Sequence, residues 1–416
     1  MVSNVRRVMY ALVYRPQDKR KSARKRGASP SRSPEFTGKM KTMQAPVFIG
    51  SRIYRGSSYG ARHPLSIPRV PTAIDLSRAL GWLPDGRYRT SPRARPRALQ
   101  AFHSEAYIAA LQKAEADQAV TEREQTEFGL GTLSNPVFGE MFRRPATAAG
   151  GSLLGASLLR DGGIVFNPGG GTHHGMAGRA AGFCYLNDPV LALLAFRAQG
   201  LSRMLYLDID AHHCDGVEAA FDGARDIRMI SVHETRRWPF TGAFGDRAAG
   251  AALNLPVGKG FNDSEFTHLR DRVILPAIER LDPQVIVLQC GADAVTEDPL
   301  ARLCLSNNAH FDLMARLKTA APRLLVLGGG GYNPWTVGRL WTGVWGVLSG
   351  QEMPDRLDGE AREVLQGLDW VRQRGPVASY LTQSLRDAPR DGPIRPEIDE
   401  LADRAAEIVR DWTWSG

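Results

Sequence analysis

Five acidic and imidazole side chains fall within eight successive positions of the chain: Asp208, Asp210, His212, His213 and Asp215. The apolar residues before them predict a buried strand, in which alternation would place Asp208, Asp210 and His212 on one side. A buried carboxylate without a partner is costly, so such a cluster requires a cation, a histidine partner or solvent. The pattern therefore indicates a metal or acid–base site at the end of a strand.

A further carboxylate, Asp293, comes directly after another apolar run, where a third metal ligand is expected. Two carboxylates and one imidazole would leave one position open on a zinc ion. An open position that holds water suits a catalytic site rather than a structural one.

Two adjacent histidines, His173 and His174, follow a glycine-rich segment after a third predicted strand. Glycines let the backbone come close to a ligand, and each imidazole needs a carboxylate to set its tautomer. Asp208 and Asp215 are not needed as metal ligands and are therefore the candidate carboxylate partners of the two histidines. The histidine pair is therefore a candidate for acid–base work beside the metal.

Four glycines precede a phenol in the segment from Gly328 to Tyr332. Such a run allows close approach of the backbone to a ligand, and Tyr332 can donate a hydrogen bond to a developing oxyanion. A phosphate-binding loop is not indicated, because no lysine and no helix start with Ser or Thr follow in the P-loop pattern.

These segments follow short apolar runs that predict buried parallel strands, with helical patterns between them. Asn187 is a predicted helix cap, and a second helix is predicted after Asp263 with its apolar residues on one face. Alternating strands and helices predict an α/β fold with a mainly parallel sheet, whose functional groups collect at the carboxyl ends of the strands. The predicted strands are residues 46–50, 164–166, 205–210, 229–233, 285–289 and 324–327.

The 416-residue chain has an ordinary composition, with 43% hydrophobic and 23% charged residues, so most of it should fold. No apolar run is long enough to span a bilayer, and no membrane partner is expected. Four cysteines without paired short spacing fit a reducing compartment, so we expect a cytoplasmic protein. The arginine-rich residues 87–97 are interpreted as an exposed loop without a function.

The net charge of +9 comes from one end of the chain. Residues 1–43 carry twelve Lys/Arg and two acidic residues, whereas the remaining 373 residues carry 41 basic and 42 acidic side chains. This basic extension is predicted to be disordered and to bind nucleic acid only weakly, through phosphate contacts. Whether it belongs to the mature protein stays open.

Together these motifs resemble the histone deacetylase family, in particular its bacterial acetoin-utilisation-type branch. The resemblance covers residues 47–350 and implies a single three-layer α/β/α domain of the arginase-like fold, with a mainly parallel sheet of about eight strands. It predicts a catalytic domain over residues 44–385 and a C-terminal helix, within residues 386–416, packed on that domain. The motifs that carry the resemblance include His63-Pro64, His173-His174, Gly182 to Asp188, Asp208 to Asp215, Gly291 to Asp293 and Gly328 to Pro334.

The resemblance implies that the metal ligands are Asp210, His212 and Asp293. It also implies two histidine–aspartate pairs, His173 with Asp208 and His174 with Asp215. The phenol of the site would be that of Tyr332. The metal would be Zn²⁺, or Fe²⁺, which the same ligands accept. His174 would act as general base and then as general acid, and His173 would act mainly through electrostatics. Tyr332 would join the metal in polarising the amide carbonyl of an N-acyl-lysine in a protein, or of a small acylated amine.

The resemblance also implies a substrate pocket formed by Gly182, Phe183, Trp238, Leu300 and Ser134. Phe183 and Trp238 would be the aromatic walls of a tunnel for the acyl-lysine side chain, and Arg69 would line the channel by which acetate leaves. A structural K⁺ would lie near Asp208, Asp210, His212 and Ser231.

Departures from the family pattern, among them Cys214 and the segment from Trp238 to Gly242, leave the substrate open. Ser134 stands near the usual aspartate that clamps the substrate backbone, so a peptide substrate would be held less firmly. Leu300 stands where polyamine-selective relatives can have a glutamate, which argues against an acetylpolyamine without excluding it, and an acetylpolyamine or another small amide remains the alternative. A binuclear ureohydrolase of the same fold would need a carboxylate at Val295. A catalytically silent acyl-lysine-binding protein would have lost a ligand or the phenol. The acyl length and the oligomeric state also stay open.

Overall fold

Eight strands form one sheet in which every neighbouring pair runs parallel. The computed structural model describes residues 44–414, so the predicted basic extension over residues 1–43 lies outside the described part of the chain. The strands are β1 (Val47–Gly50), β2 (Tyr88–Thr90), β3 (Gly163–Asn167), β4 (Met204–Asp208), β5 (Ile227–Glu234), β6 (Ala252–Val257), β7 (Val285–Gln289) and β8 (Arg323–Leu327). Their order in the sheet is β2-β1-β3-β8-β7-β4-β5-β6, which confirms the predicted α/β fold.

Helices connect the strands. In chain order they are α1 (Ile53–Gly56), α2 (Arg69–Ala79), α3 (Pro96–Leu99), α4 (Glu105–Asp117), α5 (Glu122–Phe128), α6 (Arg143–Leu158), α7 (Asp188–Ala198), α8 (Asp215–Ala220), α9 (Asp263–Leu269), α10 (Leu275–Leu281), α11 (Asn307–Leu317), α12 (Pro334–Ser349), α13 (Gly359–Gln366), α14 (Tyr380–Gln383) and α15 (Pro396–Asp411). A π-helical turn, Arg270–Ile274, joins α9 to α10, and α15 packs against this segment. None of the helices within residues 44–414 has the length and apolar character needed to cross a bilayer.

The apolar side chains form two clusters, one on each face of the sheet. Alternate residues of one strand belong to different clusters: Leu205 and Leu207 lie in one, and Met204 and Tyr206 lie in the other. This division follows from the period of two in a strand, because successive side chains point to opposite faces. Helices cover each cluster, so the molecule has the three layers expected for an α/β/α domain.

The sequence patterns were wrong in three places. The predicted strand over residues 205–210 ends at Asp208, so strand alternation does not position Asp210. Residues 88–90, inside the predicted arginine-rich loop, form the edge strand β2. β6, at the other edge, was not predicted; its sequence includes Asn254 and Pro256, which are uncommon within strands.

The strand order places four loops side by side. Strands β3, β8, β7 and β4 are consecutive neighbours near the middle of the sheet, and all four run in the same direction. Their carboxyl ends therefore bring together residues 168–174, 328–332, 290–294 and 209–215. This is the edge at which parallel α/β sheets bind their ligands.

Candidate metal and catalytic site

Two aspartates and one histidine converge where β4 and β7 end. Asp210 and His212 lie in the loop after β4, and Asp293 lies in the loop after the neighbouring strand β7. One possible ligand atom from each side chain lies within 4.8 Å of the other two. All three residues are buried. They form a possible metal site.

Hydrogen bonds between side chains and the backbone shape the loop after β4. Asp208 Oδ1 accepts the backbone N–H of Asp210 at 2.9 Å, and Asp210 Oδ1 accepts the backbone N–H of His212 at 3.0 Å. Such Asx-type turns compete with the ladder and end the strand. Gly330 donates its N–H to Asp210 Oδ2 at 2.7 Å, and a Cβ at this glycine would lie 2.0 Å from Asp293 Oδ2. Only glycine fits between the two carboxylates.

The charges of the cluster favour a cation at its centre. His212 Nδ1 lies 3.2 Å from Asp210 Oδ1 and 2.9 Å from Asp293 Oδ2. Burial by itself would lower the pKa of His212, but the hydrogen bonds to both carboxylates outweigh it and raise the pKa to about 10. Burial, together with the charge of Asp210, raises the pKa of Asp293. Two buried carboxylates this close together therefore need a positive charge, which a divalent metal would supply.

The histidine pair lies beside this cluster, each ring against its own carboxylate. His173 Nδ1 is 2.8 Å from Asp208 Oδ2, and His174 Nδ1 is 2.7 Å from Asp215 Oδ1. The two Nε2 atoms are 3.0 Å apart. The structure thus places each histidine against the acid with which the sequence analysis paired it. Since Nδ1–H donates to the carboxylate, Nε2 is the atom left for proton transfer.

The two imidazoles differ in their tendency to be charged. Burial by itself would lower the pKa of His173, but the charges of Asp208 and Asp210 raise it to about 9. Burial and then the positive charge of His173 lower the pKa of His174 to about 4, against the opposing hydrogen bond with Asp215. His174 is therefore a neutral imidazole, the form that can accept a proton.

A buried carboxylate holds the segment before the histidines. Asp188, the first residue of α7, accepts the backbone N–H groups of Gly171 at 2.9 Å and Thr172 at 2.8 Å. It also accepts the hydroxyl groups of Thr172 and Ser152, both at 2.5 Å. The sequence analysis used this position only as part of a helix start. The available signal was one carboxylate at the start of an otherwise apolar helix. A carboxylate in such a place is buried and therefore needs hydrogen-bond donors, which a neighbouring loop can supply.

Tyr332 follows the glycine run at the end of β8 and lines the same cavity as both histidines and Asp210. Its backbone N–H donates to Asp298 Oδ2 at 2.6 Å, which fixes the position of the residue. Burial and the charges of Asp293 and Asp210 raise the pKa of its phenol well above the ordinary value. The phenol therefore keeps its proton and can act as a hydrogen-bond donor.

Two aromatic side chains lie on either side of these groups. The ring centroid of Phe183 is 5.8 Å from that of Tyr332, and the ring centroid of Trp238 is 4.6 Å from that of His174. Gly182 has φ +51°, and a Cβ there would lie 2.3 Å from the Trp238 ring, so a larger residue would push into this wall. The aromatic rings and the glycine border the path to the histidines.

Three of the predicted residues, Ser134, Leu300 and Ser231, neither line the cavity nor belong to the site clusters described above. Ser134 is exposed, and its carbonyl oxygen lies 3.3 Å from His63 Nε2. Leu300 is partly buried against one of the two apolar clusters. Ser231 is buried on β5, where it pairs in register with Asp208 of β4.

Two tyrosines and one arginine are among the cavity-lining residues that the sequence analysis missed. Tyr54, Tyr59 and Arg144 are buried and lie together with Arg69, which had been predicted for this region. Tyr54 belongs to α1 and Arg144 to the first turn of α6. No sequence signal identified them, because a single arginine or tyrosine gives no hint of which cavity it faces in the folded protein.

The sequence profile of the histone deacetylase domain matches residues 63–348, more than half of the chain. The chain therefore belongs to the histone deacetylase family, which confirms the resemblance inferred from the motifs. Enzymes of this family are hydrolases that act on acetylated amides, and this chain is an enzyme of that class.

The family relatives include bacterial and eukaryotic proteins. The acetoin utilization protein AcuC of Bacillus subtilis is 33% identical over 388 residues, which cover 88% of this chain and 96% of AcuC. The histone deacetylase RPD3 of Saccharomyces cerevisiae is 34% identical over 301 residues, or 70% of this chain and 69% of RPD3. The crystal structure of an HDAC homolog from Aquifex aeolicus matches with a TM-score of 0.83 and 33% identity, covering 87% of this chain and 100% of that one. A crystal structure of an HDAC homolog complexed with SAHA has a TM-score of 0.80 and 32% identity over the same shares.

Proposed function

We propose that this protein removes acetyl or other short acyl groups from N-acyl-lysine, or from a related acylated amine, by hydrolysis. The observation that carries the proposal is one cavity lined by His173, His174, Asp210 and Tyr332. It combines a proton acceptor, a hydrogen-bond donor and a ligand of the candidate metal site. The proposed catalytic domain spans residues 44–385, and a cytoplasmic location remains part of the proposal.

Zn²⁺ is the proposed metal, held by Asp210, His212 and Asp293, and Fe²⁺ is a second ion that the same donors accept. One imidazole and two carboxylates within 4.8 Å fit such an ion. When bound, it would polarise the acyl carbonyl and lower the pKa of a water molecule. Val295, two positions after Asp293, is an apolar buried residue, which supports a single metal rather than a binuclear ureohydrolase.

K⁺ is proposed as a structural ion near Asp208, Asp210, His212 and Ser231. Asp208 ends β4 and Asp210 and His212 follow it, whereas Ser231 lies within the adjacent strand β5, in register with Asp208. Oxygen atoms from carboxylate, hydroxyl and backbone groups are the donors that a hard cation takes. An ion here would hold the loop that carries the metal ligands.

The proton transfers are assigned to His174. Its Nδ1 is occupied by Asp215, so Nε2 takes a proton from the attacking water as the oxygen adds to the acyl carbon. The same Nε2 then gives the proton to the amine nitrogen as the C–N bond breaks. The products are the free amine and a carboxylate. His173, held by Asp208, has a raised pKa and offers a positive charge 3.0 Å from the Nε2 of His174.

Tyr332 is assigned to the oxyanion of the tetrahedral intermediate. Its phenol keeps its proton, because burial and two nearby carboxylates raise its pKa. A hydrogen bond to an oxygen that becomes negative only during the reaction stabilises the transition state more than the substrate.

Substrate entry is assigned to the side bordered by Gly182, Phe183 and Trp238. Aromatic walls suit the aliphatic stem of an acyl-lysine side chain, whose charge is removed by acylation. Ser134 and Leu300 lie outside the cavity. They would contact the parts of the substrate on either side of the acylated side chain. Because neither offers a carboxylate, we favour an acylated protein lysine over a cationic polyamine, with the polyamine as the alternative.

The test is deacylation of a panel by zinc-loaded protein. It contains acetyl-, propionyl- and longer acyl-lysine peptides and acetylated polyamines, with a hydroxamate inhibitor as the control. Hydroxamate-sensitive release from lysine peptides is the expected result, and it would rank the acyl groups. Faster deacylation of the acetylated polyamines than of the lysine peptides would show that the substrate is a polyamine and not a protein lysine. No release from any amide would overturn the proposed function and favour a silent acyl-lysine-binding protein.

A further inference from the structure

Six large apolar side chains are exposed within residues 44–414, and three of them, Leu133, Trp238 and Phe240, lie beside the entrance to the active-site cavity. Leu133 is 99% exposed and Phe240 is 74% exposed, whereas Trp238 is 38% exposed. A single apolar side chain at a surface is ordinary, but several around one entrance indicate contact with a ligand. We call these three residues the apolar rim.

Phe240 extends the wall that Trp238 forms. It comes two residues after Trp238, so the two Cα atoms lie within about 7 Å of each other. The centroid of the Trp238 ring is 4.6 Å from that of His174, and the same ring borders the position of Gly182. A substrate whose acyl group reaches His174 therefore passes Trp238, and the parts of the substrate outside the cavity lie close to Phe240.

Leu133 extends the wall on the other side of the entrance. It precedes Ser134, whose carbonyl oxygen lies 3.3 Å from Nε2 of His63. The His63 ring in turn packs against the Phe183 ring, with the two centroids 4.6 Å apart. This series of contacts joins Leu133 to Phe183, so each aromatic wall continues outward into an exposed apolar side chain.

The backbone at Phe240 is unfavourable for a large residue. Its φ is +66°, in the left-handed region where only glycine fits without strain. Such strain persists only where surrounding contacts fix the backbone, and it is concentrated at functional sites. An exposed phenyl ring offsets none of this cost by its own burial. The folded chain alone therefore gives no reason for a phenylalanine at this position.

Hydrogen bonds hold the segment that follows Phe240. His213 Nδ1 lies 2.8 Å from Thr241 Oγ1, and His233 Nε2 lies 2.9 Å from the carbonyl oxygen of Gly242. A Cβ on Gly242 would be 2.5 Å from the His213 ring, so the segment is closely packed there. Phe240 thus projects from a fixed base, and binding against it costs little conformational entropy.

The chemistry of the rim favours a peptide over a cationic amine. The segment before Phe240 is basic, because Arg236 is exposed and Arg237 is paired with Glu234 at 2.8 Å. A polyamine carries positive charges and no apolar side chain, so it gains nothing from the rim. A peptide can place an apolar side chain against Phe240 while its acylated lysine occupies the cavity.

We propose that Phe240 is a specificity-determining residue, which binds an apolar side chain next to the acylated lysine of a peptide or protein substrate. The inference rests on the proposed function, because it takes the cavity to be the site of the acylated lysine. An aromatic or large aliphatic neighbour buries apolar surface against Phe240, and a glycine does not. The enzyme therefore selects acylated lysines by the residues beside them.

The first test is deacetylation of three short peptides by the zinc-loaded full-length protein. One has phenylalanine directly before the acetyl-lysine, one has it directly after, and one has glycine on both sides. For at least one phenylalanine peptide, kcat/KM should exceed that of the glycine peptide about tenfold, mainly through a lower KM. In Phe240→Gly this ratio should fall to about twofold or less, and Phe240→Leu should give an intermediate ratio.

Phe240→Gly is suited to the test because glycine adopts a positive φ without strain, so the variant should fold. The matched control is Ile394→Ser, which removes another exposed apolar side chain that does not line the cavity. Ile394 precedes Arg395, which bonds to Glu265 of α9 at 2.8 Å. The control should keep the wild-type ratio. Equal ratios in the wild type and Phe240→Gly would overturn the proposal, as would an equal fall in the control.

The second test measures binding and does not need activity. The same peptides carry an N-terminal fluorescein, and their dissociation constants are measured by fluorescence anisotropy with His174→Ala, which lacks the proposed general base. The preferred phenylalanine peptide should bind about tenfold more tightly than the glycine peptide, and the added Phe240→Gly substitution should abolish the difference.

The two proposals fail separately. Phe240-dependent binding of the peptide, without deacylation of any amide, contradicts the proposed function alone. Deacylation of acetyl-lysine peptides with no Phe240-dependent preference contradicts the role of Phe240 alone.

Discussion

Replacing Asp188 by asparagine should destabilise the protein by about 3 kcal/mol and lower kcat, although Asp188 does not line the active-site cavity. The carboxylate is fully buried and accepts hydrogen bonds from two backbone N–H groups and two hydroxyl groups. Asparagine is nearly the same size, so the substitution changes the charge and one acceptor without creating a cavity.

The magnitude follows from those four donors. If the asparagine oxygen keeps the bonds to Gly171 and Thr172, three bonds lose their charge assistance, at about 1 kcal/mol each. The side-chain NH₂ then faces the hydroxyl of Ser152, which already accepts a hydrogen bond from Asn167 Nδ2 at 2.9 Å. The fourth bond, which Ser152 donates to the aspartate, is lost or must reorganise. The loss of unfolding free energy should therefore be at least about 3 kcal/mol.

The assay is unfolding in urea, together with steady-state kinetics on the best substrate of the panel. The Asp188→Asn variant should unfold at a lower urea concentration, and its kcat should fall because Gly171 and Thr172 lead directly to His173. The matched control is Asp75→Asn, which removes a surface ion pair with Arg55 and should cost less than 1 kcal/mol. An unfolding free energy for Asp188→Asn within about 1 kcal/mol of the wild type would refute the reasoning.

Three other predictions concern the proposed chemistry and the pH dependence of stability. His174→Ala and Tyr332→Phe should each lower kcat by roughly 10²-fold or more with little change in thermal stability, as for loss of a general base or an oxyanion donor; near-normal turnover in either would contradict the mechanism. Removal of metal by a chelator should abolish activity and lower the thermal unfolding midpoint, and added Zn²⁺ should restore both; unchanged activity after verified metal removal would contradict the metal site. Burial lowers the pKa of His103 to about 4, despite a hydrogen bond to the backbone oxygen of Met176. Between pH 6.5 and 4 the unfolded chain binds this proton and the folded protein does not, so about 3 kcal/mol of stability present above pH 6.5 is lost as the pH falls through this window. The slope of unfolding free energy against pH should therefore be smaller by up to about one proton in His103→Asn, and an equal slope would contradict the assignment.

Much of the fold was predictable because its signals are local. Apolar runs predicted six of the eight strands, and the helix after Asp263 buries the predicted face through Phe266 and Leu269. The two missed strands lie at the edges of the sheet, where β2 has three residues and is mostly exposed. β2 gains little from burial, so its sequence carries a weak apolar pattern. β6 is almost entirely buried, and Asn254 and Pro256 hid it because these residue types are uncommon within strands.

The candidate site was predictable in its residue types but not in its geometry. The spacing of Asp208, Asp210 and His212 was read as strand alternation, whereas Asx-type turns end the strand and orient the last two. The spacing therefore identified the correct cluster of residues, but the local structure on which that inference rested, a continuous strand, is not present beyond Asp208. Hydrogen bonds from a side chain to the backbone two residues ahead compete with the sheet ladder, and spacing alone does not show which of them wins.

The chain itself determines which chemical groups are available and that they follow strands: carboxylates after β4 and β7, imidazoles after β3 and a phenol after β8. The order of those strands in the sheet, which brings the four loops together, depends on pairing between segments that are about 40 to 160 residues apart. The cavity wall that contains Arg69 and Arg144 depends on tertiary structure in the same way. Whether Arg144 meets a carboxylate is decided by which helices surround it, because burial and charge pairing are properties of the packed molecule.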